Sequence, residues 1–354
     1  MAAGAVLVVI RSRRCGEPVG SRRRRPDDQR LTLAAAAAQL SRAHFDFTLS
    51  LYSALADDTA SRQQDLLVSP YSVFSLLSML FLGVGAESPS AAQLRDVLHF
   101  QNISYSHVQR AFQQAAQVMR HPYYEDRFLE EMALLLAHDV NVSDFYSRAL
   151  DEFYRRTVVA VDFGKPERPV LLMMSKVHFH GQWMQPFNAS MTFDKGLFFH
   201  EGSQRMEVPV MTGRFRLPIG YSHDLEARVL ELPLQERRLS IFILLPDALE
   251  DGLHRLETNL TTDNLRAMLS TLKDETVHVK LPRFRLACSG HLRRVLMAQG
   301  LTHVFDPRTA AMTGINADGR YFEVDHPFVF LVWDYYSAMV LLMGRVVHPE
   351  PILD

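Results

Sequence analysis

Cysteine is nearly absent: the chain of 354 residues holds two, Cys15 and Cys288, so no disulfide framework and no thiolate metal cluster is expected. Net charge is lacking as well. Thirty-eight Lys and Arg against 40 Asp and Glu leave −2, too little for a global field that would draw in nucleic acid or an anionic membrane. No apolar run reaches the about 18 residues of a spanning helix, so no membrane span is expected. The G-x-S-x-G, H-E-x-x-H, phosphate-loop and G-x-G-x-x-G patterns are missing, and Gly83 and Gly85 follow a helical stretch rather than the strand a dinucleotide turn needs. An enzyme is therefore not expected, nor any cofactor. The sharpest metal candidate is His178 with His180 on one face of a strand, and His200 as a third ligand. Without a Cys or carboxylate pattern beside them, these read as ordinary hydrogen-bonding histidines.

Asparagine is scarce too, yet four of the six stand in N-x-S/T sequons: Asn102, Asn141, Asn188 and Asn259. Such frequent coincidence points to N-glycosylation and an extracellular, secreted protein. The leader is poor, because residues 1–10 are a short apolar run without a basic start, followed by Arg11, Arg13 and Arg14. Residues 1–30 read as that poor leader or as a disordered Arg-rich tail, and residues 31–354 as one domain. Helical spacing runs over 31–57, 73–82, 91–98 and 107–119, with Ser69 and Pro70 set to start the second of these. Strand-like segments follow at 132–136, 158–161, 171–179, 207–211, 227–232, 239–245, 277–281, 328–333 and 339–347. Helices first and mainly strands afterwards read as α+β with large antiparallel sheets.

In order and spacing, several motifs resemble the serpin superfamily. They are FDF at 45–47 with LY at 51–52, VSPYS at 68–72, LFLGVGA at 80–86, VVAVDF at 158–163, FHGQW at 179–183 with PF at 186–187, VPVM at 208–211, VLELP at 229–233, LSIFILLP at 239–246, LPRF at 281–284, DHPF at 325–328 and MGRV at 343–346. The resemblance covers nearly everything from about residue 40 onward. It implies a large mixed main sheet, two smaller sheets and a helical N-terminal half. It also implies an activity: serine-type endopeptidase inhibition by covalent trapping, in which a cleaved loop enters the main sheet as a new strand. By the same resemblance Ser69, Pro70, Ser72, Ser175 and Trp183 fall in the region that controls sheet opening. Ser175 stands where the family usually has Asn, and Ser69 also reads simply as a helix cap.

Two departures interrupt the match, near 170/171 and 315/325. After the second, the family has a central strand of the main sheet, a hinge and the exposed reactive loop; here only residues 316–324 separate Ile315 from Asp325. Both gaps start and stop cleanly beside good matches, as in a truncated isoform. The expectation is an incomplete main sheet, with strands 171–179 and 277–281 left with unpaired edges and prone to aggregate. The chain should therefore be non-inhibitory, serine proteases being partners of a full-length relative. The alternative is a non-inhibitory serpin acting as a binding protein or chaperone.

Overall fold

The computed structural model describes residues 3–10, 33–57, 65–84, 88–125, 127–138, 142–163, 171–200, 204–283, 292–305 and 328–346. Among them the helices cluster early. The alanine run 34–38 favours α1 (Leu33–Ala56) intrinsically. Helix α2 (Pro70–Gly83) begins at Ser69, with Pro70 in its first turn, and all but its last residue are buried. A helix apolar all round belongs inside, and α2 runs between the two sheets. Then come α3 (Pro89–Val97), the amphipathic α4 (Tyr105–Met119), α5 (Pro122–Glu125) and α6 (Asp144–Ala149), followed later by α7 (Gly252–Asn259), α8 (Thr262–Ser270) and α9 (Leu292–Ala298). Phe74 of α2 is the aromatic hub, with ring centroids of Phe47, Phe100 and Phe112 at 5.3, 5.4 and 5.4 Å; burying one such side chain contributes about 1.5–3 kcal/mol. No described helix is long and apolar enough to cross a membrane.

One sheet has four strands in the order β1 (Ala3–Ile10), β5 (Leu171–Phe179), β3 (Phe128–Ala137), β4 (Val158–Val161). It is mixed, because β3 and β4 run parallel and the other pairs antiparallel. Along β5 burial alternates residue by residue, with Leu171, Met173, Ser175, Val177 and Phe179 inward, as a sheet covered on one face requires. The second sheet has eight strands. Its path is β10 (Lys273–Pro282), β7 (Gln204–Ser222), β8 (Ala227–Pro233), β9 (Leu239–Pro246), β11 (Phe328–Asp334), β12 (Met339–Val346), β2 (Leu66–Val68), and β6 (Thr192–His200) pairs with β7. Central β9 is buried on both faces apart from Leu245.

Two expectations are corrected. Segment 277–281 does not border the four-stranded sheet: it lies in β10, paired over ten positions with β7. Strand β5 is not left with an edge, since β3 lies on one side and β1 on the other. The segment read as leader or tail therefore contains a strand, while residues 11–30 lie outside the described residues, as do the two gap junctions at 164–170 and 306–327.

Candidate functional site

The N-terminus of α2 collects the polar groups that the sequence singled out. Ser69 is held extended (φ −97°, ψ 95°) and its Oγ accepts the amide of Ser72 at 3.3 Å, which satisfies one of the helix's free N–H groups. The same oxygen is 3.2 Å from the Leu341 carbonyl of β12, to which it donates, and 3.0 Å from Ser72 Oγ. Ser72 in turn donates to Glu130 of β3, and Arg156 Nη2 stands 3.3 Å from the second carboxylate oxygen. A polar chain thus joins the second sheet, α2 and the first sheet through the core. Burial raises the Glu130 pKa, while the Ser72 bond and the Arg156 charge pull it back. Beside it a cavity of about 270 Å³ is lined by Tyr71, Ser75, Glu130, Arg120, Tyr154 and Arg156, among others.

Ser175 is buried in β5, opposite Met132 of β3 and Val6 of β1. Its hydroxyl has no hydrogen-bond partner among the described residues. Ser69, Pro70 and Ser72 are brought together; Ser175 is not joined to them by a bond. Trp183 lies apart, bridged to Leu234, its ring edge-on to Phe187 at 6.2 Å and Phe187 edge-on to Phe215 at 5.0 Å. That aromatic ladder ties the exit of β5 to β7. His178 sits on the exposed face of β5 and His180 just beyond its end; the His200 side chain is outside the described set. No group of three or more His, Cys, Asp or Glu among the described residues is placed to hold a metal.

Sequence reading missed Glu130. The signal was available in the period of β3: Phe128, Glu130, Met132, Leu134 and Leu136 share the inward side, whereas Leu129 is 47 % exposed.

A model of the serpin family, described as serine protease inhibitor, matches residues 42–171 and 165–321. The chain belongs to the serpin family. Leukocyte elastase inhibitor A of Rattus norvegicus is 26 % identical over 384 positions, taking in 88 % of this serpin and all of the relative. Intracellular coagulation inhibitor 1 of Tachypleus tridentatus is 25 % identical over 369 positions, with 85 % and 87 % covered. The solved structure of a tumour suppressing serpin superposes with a TM-score of 0.77 at 20 % identity, covering 89 % of this chain and 100 % of that one, and supports the fold.

These relatives correct the expectation of a secreted glycoprotein, since they include an inhibitor that is intracellular by name. The structure supplies a local reason for sequons to recur. Ser104, Ser143 and Thr261, the hydroxyl residues of three of them, are the N-cap residues of α4, α6 and α8. In the fourth, Asn188 itself caps a short 3-10 turn by accepting from Ser190 N at 3.0 Å. Asn, Ser and Thr gather at helix starts because their side chains can bond free amides there, as Ser143 does with Tyr146 N and Thr261 with Asn264 N, while Ser104 makes no such bond. Asn102, Asn188 and Asn259 are exposed, and Asn141 lies outside the described residues.

Proposed function

We propose that this serpin keeps the family scaffold without the family's trap. Protease inhibition is the activity in the family's description and in the name of the rat elastase inhibitor, and it needs a loop that a protease can cut and that then enters the main sheet. The observation that carries the reading is the spacing at the second gap: residues 316–324 alone stand between Ile315 and the DHPF motif at 325–328. Two features of the comparisons support it. The alignment with the rat inhibitor runs over 384 positions, more than the 354 residues of the whole chain, so part of that relative faces no residue here. The family match also breaks in two at 165–171, beside the first gap. With no hinge and no scissile bond, no acyl-enzyme forms. An intracellular setting follows the name of the Tachypleus relative.

The test is incubation of the purified chain, in molar excess, with elastase-, trypsin- and chymotrypsin-like proteases. The expected result is full residual protease activity and no band above the free protease on a denaturing gel. A detergent-resistant conjugate with any of them would overturn the proposal.

A further inference from the structure

Strand β1 and strand β5 lie far apart in the sequence, yet they pair over eight positions, from Ala3 opposite His178 to Ile10 opposite Leu171. Antiparallel neighbours are commonly joined by a short hairpin; this pair is not, so the contact is added from a distance. On its other side β5 is paired with β3 along its whole length, from Phe179 opposite Phe128 to Leu171 opposite Leu136. The pairing with β1 therefore decides whether β5 is an inner strand or an edge. As an edge, β5 would be a nine-residue strand with no proline, no bulge and Lys176 as its one permanent charge, a poor defence against strand addition by another chain. Strand β1 ends the sheet, touches β5 alone among the strands of its path, and also runs beside α9 and the turn His303–Phe305. Its sequence, AGAVLVVI, carries no charge and no proline.

We infer that the β5 edge is a strand-acceptor site and that residues 3–10 of the same chain are its donor strand, so that the sheet is completed by the chain's own N-terminal segment. The recognition is main-chain hydrogen bonding along an extended apolar peptide. Removing the donor converts β5 into an open acceptor for a peptide of the same kind. This inference does not rest on the missing reactive loop: the pairing of β1 with β5 carries it alone, and its test reads exchange across β5 rather than protease activity.

Hydrogen exchange resolved by peptide tests it. Deleting residues 1–10 from the otherwise full chain should speed exchange across β5 at least tenfold, with β9 unchanged. A synthetic peptide of residues 3–10 bearing a lysine tag should restore the protection, and a scrambled peptide should not. Unchanged β5 exchange after deletion, or equal protection by the scrambled peptide, would overturn the inference. Should the shortened chain be insoluble, the full chain with Val6→Pro and Leu7→Pro replaces it. Alternate residues of an antiparallel strand donate to the partner, so one of these two prolines removes an inward amide. Faster β5 exchange in that variant supports the donor strand, and parental exchange contradicts it.

Discussion

His44 is fully buried in α1, edge-on to Phe74 at 5.0 Å and to Tyr71 at 6.4 Å, and neither ring nitrogen has a hydrogen-bond partner among the described residues. Burial pushes its pKa down to about 3. The unfolded chain holds this proton more tightly, so stability present above pH 6.5 is lost as the pH falls toward about 3, by up to about 1.4 kcal/mol per pH unit. Glu130 acts in the opposite sense just above its ordinary value, since its raised pKa means that the folded chain takes up a proton first. Denaturant unfolding between pH 7 and 4 should therefore show a falling midpoint in the parent and a flatter one in His44→Leu; equal slopes would contradict the assignment. Ser69 and Pro70 were legible as a helix start because capping is local chemistry. Glu130 was missed although the alternation of β3 put it on the inward side; its partners Ser72 and Arg156 were not legible, because they come from elements far away in the sequence.

At the scale of elements, the start of α2 is the joint between the sheets, because one hydroxyl both caps the helix and reaches the Leu341 carbonyl. Ser69→Ala should cost about 1–2 kcal/mol, read as a lowered unfolding midpoint, with Ser69→Thr losing less. No loss in the alanine variant would remove Ser69 from that role. Helices α1–α4 and most strands could be read from periodicity; α5–α9, the full length of β7 beyond 207–211 and the partners of β10 could not. Pro209, Gly213, Pro218 and Gly220 look like breaks in β7, yet the strand runs on through all four. A Cβ at Gly213 would collide with the Phe215 ring and one at Gly220 with Thr271 Oγ1, so these glycines mark close approach. The pairing of β1 with β5 was illegible for another reason: an apolar run of eight residues at a chain start fits a leader, a helix or a strand, and only a distant edge decides among them.

For the whole molecule, the matched motifs prescribed the serpin architecture, because their order along the chain carries more than any one of them. The state of the main sheet was not prescribed, since pairing is settled between segments far apart. A serpin that traps proteases stores strain that is released when its cut loop joins the sheet as a strand. Here the β5 edge is paired with β1, and the proposal that no such loop is present rests on the nine residues 316–324 between Ile315 and Asp325. The deciding measurement is the thermal midpoint before and after limited proteolysis by an elastase-like enzyme. An unchanged or lowered midpoint is predicted; a rise well beyond the error of the melt would mean that a strand had been inserted and would contradict a scaffold without a trap.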